Sequence, residues 1–184
     1  MYGDKSYIDI IFEAYKENTI GDIHINKYQL HSLLFYITYM LQTANGNFEE
    51  FPYPSELTKD FGTKKGISFA FMNLSKFSNE TGNWEQNKSL IDSFVSASKE
   101  FIAKEIEILQ PDVIITMNIM NYLEDILDIE LIDNSNCDAW LYKTKLGNSE
   151  VHLIDTWHFS YPSKSRKKNF VEPVFELVKK IGLV

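Results

Sequence analysis

From Ser89 to Leu109 the chain keeps Leu90, Ile91, Phe94, Val95, Phe101, Ile102, Ile106 and Leu109 at helical spacing for about five turns. Ser89 with Asp92 three residues on forms a capping-box pattern at its start, and Pro111 stops it. Asp112-Val-Ile-Ile-Thr-Met117 follows at once, a β-branched run of the kind found in parallel strands covered on both faces. A long amphipathic helix that runs through a proline into such a strand points to an α/β layer fold.

The flanking patterns extend that reading. Ile67-Ser-Phe-Ala-Phe-Met72, bounded by Gly66 and Asn73, predicts a buried strand, and Tyr122, Leu123, Ile126 and Leu127 predict a short helix. Ala139 to Lys145 and Val151 to Ile154 read as two strands joined by Gly147-Asn148-Ser149, a hairpin connection. A last helix spans Phe170 to Ile181, with Pro173 tolerated in its first turn. The expected architecture is α/β, a three-layer sandwich with a mostly parallel central sheet flanked by helices. Upstream, Tyr7 to Tyr15 and residues 27 to 43 have helical periodicity, the first helix ending near Gly21, and Gly46 to Gly66 reads as a long connection. At 184 residues the expectation is one domain over residues 1–184, with a helical portion at 1–45 and an α/β core at 66–184.

Composition limits function. A formal net charge of -8 argues against wholesale coating of nucleic acid, which needs clustered Lys and Arg. Cys137 is the one cysteine, so the sequence offers no disulfide framework, thiolate metal cage or iron–sulfur cluster. No metal and no cofactor is expected. No secretory signal or membrane span is legible in the sequence, and the expected location is cytoplasmic.

The chemistry concentrates in Asp155-Thr-Trp-His-Phe-Ser-Tyr-Pro-Ser163, which follows a strand and precedes the last helix. Lys164-Ser-Arg166-Lys167-Lys168 comes next and contains the only arginine; Lys164 to Lys180 sums to +4 while the remainder carries -12. A basic loop at a helix start is a reasonable phosphate site, and a solvated face fits the same run.

Three segments, Phe69-Ala-Phe-Met-Asn-Leu-Ser-Lys76, Glu105-Ile-Glu-Ile-Leu-Gln-Pro-Asp-Val-Ile-Ile-Thr-Met117 and Thr156-Trp-His-Phe-Ser-Tyr-Pro-Ser163, together resemble the uracil-DNA glycosylase-like superfamily over residues 66 to 182. The resemblance implies a strand ending in an Asn that reads uracil, a helix leading through Pro into a second strand, and a His-containing loop that closes the site. Asn73 would then be the base-reading amide, since its donor and acceptor pair with O4 and N3–H of uracil. A turn at the strand end equally suits Asn73. His158 would donate to the base anion as the glycosidic bond breaks, unless it is a core His bonded to a carbonyl. Phe69, Phe71 or Phe77 would stack on the base, unless they are core aromatics, and Ser160, Ser163, Lys164 and Arg166 would grip phosphates beside a flipped nucleotide.

Three departures stand out. Phe159-Ser160-Tyr161 separates His158 from Pro162, where the family places Pro directly after His. Asn118 replaces the family's usual glycine at the end of the second strand. The family's first motif, a glycine turn with a water-positioning group, is missing: either the chain begins downstream of it or this member has lost it. Asp4, Asp22, Asp60 and Asp155 are the replacement carboxylates on offer.

The resemblance therefore implies a DNA N-glycosylase or a degenerate relative that still binds a nucleobase, with DNA held at the basic loop or a nucleobase-like small molecule as partner. The alternatives are a catalytically inactive interaction module, with a protein partner on the aromatic-rich helix at Tyr28 to Leu41, and an enzyme acting on a soluble nucleotide.

Overall fold

The computed structural model describes residues 7–74 and 88–184. Over these the protein is mixed α/β. In chain order the elements are α1 (Tyr7–Glu17), β1 (Thr19–Ile20), β2 (Ile23–His24), α2 (Gln29–Thr43), α3 (Pro54–Leu57), α4 (Lys88–Leu109), β3 (Val113–Met117), α5 (Met120–Leu123), β4 (Ile129–Asp133), β5 (Ala139–Leu146), β6 (Ser149–Thr156) and α6 (Glu172–Lys180). The chain forms two compact units, one comprising Met1–Phe69, Asn136–Ala139 and Thr156–Val184, the other Ala70–Ser135 and Trp140–Asp155.

In the first unit, Asn18 at φ 59 ends α1, and Gly21 at φ 58 turns a two-residue hairpin between β1 and β2. This hairpin stands where sequence periodicity gave only a break between helices. Tyr15, Ile25, Phe35 and Ile67 form a core with Phe61 and Phe69 packed on it. The Tyr15 ring meets Phe35 and Phe61 edge-on at 5.0 Å. Tyr36 and Tyr39 on α2 meet Phe48 and Phe51 of the following loop. Every residue from Tyr28 to Leu41 is buried or half-buried, so α2 spends its aromatic side chains inside this unit. Burying a side chain such as Phe35 contributes about 2–3 kcal/mol, which explains why the helix forms despite lacking a side-chain cap.

The strand expected at Ile67 to Met72 is not formed. Ile67 is buried, Ser68 exposed, Phe69 half-buried and Ala70 exposed, and the segment carries no regular secondary structure. Ile67 and Phe69 are taken up by the Tyr15–Phe35 core rather than by a sheet, and the alternation stops there, since Phe71 is exposed.

In the second unit α4 begins at Lys88, and Gln110 at φ 44 ends it just before Pro111. Ser89 is already helical, and Asp92 accepts the Tyr122 hydroxyl at 2.6 Å. The sheet order is β3-β6-β5-β4. β4 and β5 pair antiparallel, and the two-residue connection at Gly147-Asn148 makes β5 and β6 antiparallel as well. β3 reaches its place beside β6 after a long crossover, and the carboxyl ends of these two strands meet through Asp155. The sheet is thus mixed and mostly antiparallel, not mostly parallel as expected. Short links leave no length for a crossover helix between β4, β5 and β6, a strand (β4) that sequence reading did not find. Met120, Leu123 and Leu153 form this unit's core, with Leu74, Ile114 and Tyr142 packed against it.

Candidate functional site

The loop after β6 is built in the first unit from the inside outward. Phe159 and Phe170 are fully buried and meet edge-on at 5.5 Å, which pins the loop to the turn that leads into α6. Phe159 therefore faces the core while its neighbours His158 and Ser160 are exposed. The Tyr161 amide donates to the His158 carbonyl at 2.9 Å, closing a tight turn, and Gln29 Nε2 donates to the Tyr161 carbonyl at 2.9 Å.

His158 Nδ1 accepts the Ser160 amide at 3.2 Å. In the neutral ring this places the proton on Nε2, which becomes a donor. Partial burial of the ring lowers the imidazole from its ordinary value, so the neutral form prevails near neutral pH. Tyr161 leaves nearly half its surface exposed, with its ring 6.0 Å from that of Trp157. The outward face of the loop thus presents an N–H donor, the hydroxyls of Ser160 and Ser163, and an aromatic ring.

Beneath that face lies a carboxylate that sequence reasoning missed. Asp138 accepts Trp157 Nε1 at 2.8 Å, Lys164 Nζ at 2.9 Å and Asn169 Nδ2 at 2.9 Å. The Lys164 ammonium also sits 4.3 Å from the Trp157 ring centroid, a cation–π contact. Burial would raise the Asp138 carboxyl, but the bonds from Lys164, Asn169 and Trp157 outweigh it and hold it below the usual carboxylate range. The Trp157 indole needs an acceptor when half-buried, and that was the available signal. It does not say which of many acids supplies it.

Arg166 Nη1 donates to the Asn26 carbonyl at 2.8 Å and Nη2 to the Lys27 carbonyl at 3.2 Å. Burial weakens the acidity of the Tyr36 hydroxyl, and the positive charge of Arg166 partly restores it. Lys167 pairs with Glu49 at 2.7 Å and approaches Glu172 at 3.9 Å. The structure therefore brings His158, Ser160, Ser163, Lys164 and Arg166 onto one loop, with the two cations turned to internal acceptors.

Asn73 and Phe71 are exposed and belong to the second unit, where the adjoining Leu74 packs against the core. Phe77 and Lys76, like Asp4 and the polar stretch at 78–87, lie outside the described residues. At the carboxyl ends of β3 and β6, buried Asp155 accepts the Thr116 hydroxyl at 2.5 Å and the Asn118 amide at 2.9 Å. Asn118 there adopts φ 59, the left-handed backbone that Asn and Gly tolerate best. Asp155 is thus engaged in holding two strands, whereas Asp22 and Asp60 are exposed.

A groove of about 540 Å³ in the second unit is lined by Asp128, Glu130, Lys143, Lys145 and Glu150 and contains no residue singled out from sequence. Among the described residues, no group of three or more His, Cys, Asp or Glu side chains is placed to hold a metal ion, and no helix is long and apolar enough to cross a membrane. Comparison of the chain with protein-family models, with curated proteins and with solved structures found no match.

Proposed function

We propose that this chain is a nucleobase-binding protein of the uracil-DNA glycosylase-like class, with three layers about its sheet and with His158 as the donor to the bound base. The observation that carries the reading is the join between β3 and β6. These strands are neighbours, their carboxyl ends are tied through Asp155, and Asn118 takes a left-handed backbone where that class has glycine. In the chain the His158 loop follows β6 directly.

The chemistry follows from the loop. A neutral imidazole with Nε2–H in place is suited to an oxygen that gains negative charge as a base leaves its sugar, and it needs no proton transfer beforehand. Tyr161 offers a stacking surface, a contribution of about 1–3 kcal/mol for a base. Hydrolysis further requires an oriented water. Asp155, the carboxylate nearest the loop in sequence, has Oδ1 occupied by Thr116 and Asn118, so turnover is expected to be slow relative to binding.

Titration with uracil, followed by tryptophan fluorescence, tests binding, and incubation with uracil-containing single-stranded and duplex DNA tests for abasic product. Saturable uracil binding that His158→Ala weakens by about tenfold or more supports the reading. The same titration with Asn73→Ala tests the part that the resemblance gives to Asn73. If uracil, deoxyuridine and uracil-containing DNA all fail to bind, the proposal is wrong.

A further inference from the structure

We infer that the ligand of the His158 loop carries no phosphates, being a nucleobase or a nucleoside, and that the basic run after it is an internal clamp and not a phosphate grip. The inference rests on the nucleobase reading and adds the ligand class to it.

The loop is sorted by charge. Its outward side chains are His158, Ser160, Tyr161 and Ser163, none of them a lysine, an arginine or a carboxylate. Three of its four cations, Lys164, Arg166 and Lys167, point to acceptors within the protein. Lys164 is bonded to Asp138 and covered by Trp157. Arg166 is bonded to two main-chain carbonyls. Lys167 is paired with Glu49 and lies near Glu172, which leaves Lys168 exposed. Four cations from Lys164 to Lys168 thus meet three carboxylates, Asp138, Glu49 and Glu172, for a local balance of +1.

Three backbone donors at this helix start, the amides of Ser165, Lys168 and Asn169, are also engaged. The Ser165 amide donates to Asn169 Oδ1 at 2.8 Å, the Lys168 amide to Ser165 Oγ at 3.3 Å, and the Asn169 amide to the Ser165 carbonyl at 3.0 Å. A phosphate reaching Lys164 would have to separate a pair whose side chains are only 24% and 13% exposed, and would leave Asp138 without its cation. The chain as a whole, at -8, repels a polyanion at distance.

Salt dependence tests this directly. The wild-type chain is titrated with 2′-deoxyuridine and with a single strand of about ten nucleotides containing one deoxyuridine, from about 50 to about 300 mM salt. The expected result is that the strand binds within about threefold of the nucleoside, with a slope of log K on log salt shallower than about −0.7, less than one phosphate contact. Replacing the lysine's partners in Glu49→Gln/Glu172→Gln, both exposed side chains, then frees Lys167; the slope for the strand steepens by about 0.7 while nucleoside affinity stays unchanged. A wild-type strand that binds more than about tenfold tighter than the nucleoside, with a slope of about −2 or steeper, overturns the inference and leaves the nucleobase reading standing. If neither ligand binds, both fall.

Discussion

Replacing Asp138 by alanine removes one carboxylate and strands three donors at once: the Trp157 indole, the Lys164 ammonium and the Asn169 amide. Bonds to a charged acceptor contribute about 1.5–3 kcal/mol each where the donors are shielded from water. Lys164 retains 24% of its side-chain surface and can turn to solvent, so its share is discounted. Trp157 and Asn169 are half-buried and lose more, which brings the expected cost of Asp138→Ala to about 3–4 kcal/mol. Asp138→Asn keeps one oxygen for the indole and loses the charge, and should cost about half as much.

Urea unfolding at neutral pH, read by tryptophan fluorescence, is the assay. With a slope near 2 kcal/mol/M the alanine variant's midpoint falls by about 1.5–2 M. The sign of the pH dependence follows from the carboxyl being held below its usual range. The stabilisation is complete above the ordinary carboxylate range and is lost as pH falls through the depressed value, so wild type and Asp138→Asn converge in acid. A loss below about 0.5 kcal/mol at neutral pH, or a difference between the two that is the same in acid, refutes the account of this cluster.

Two glycines give a second prediction. A Cβ on Gly66 would collide with the Asp60 carbonyl oxygen, part of the backbone, whereas one on Gly46 would meet the Phe175 ring, a side chain that is able to shift. Gly66→Ala is therefore expected to destabilise more than Gly46→Ala, whose cost stays in the overpacking range of about 1–3 kcal/mol; thermal unfolding of both variants checks the order. For His158, nitrogen NMR should find the Nε2–H tautomer and a titration midpoint below the ordinary 6.5, and a midpoint at or above that value contradicts the burial argument.

Local patterning carried over well wherever a single element decides its own burial. α2 and α4 lie where apolar spacing puts them, as do β3 and the β5–β6 hairpin, because a helix stripe or a turn at Gly147 is encoded within a few residues. Ile67 to Met72 shows where that logic ends: its alternating side chains are real, but the choice between a sheet and the Tyr15–Phe35 core belongs to partners far along the chain.

The site divides in the same way. Sequence reading located the loop carrying His158, Ser160, Ser163, Lys164 and Arg166, and Asn118 at a strand end that the backbone holds in the left-handed region. It also counted +4 from Lys164 to Lys180, and that number changed meaning on folding. Asp138 meets Lys164 across 26 residues and Glu49 meets Lys167 across 118, separations over which no linear pattern registers a pair. The sequence by itself determined the helices α2 and α4, the strand β3, the β5–β6 hairpin and which loop is rich in donors. Sheet direction and the neutralisation of the basic run were decided only in the tertiary structure, because both depend on which distant strand or carboxylate arrives within bonding distance.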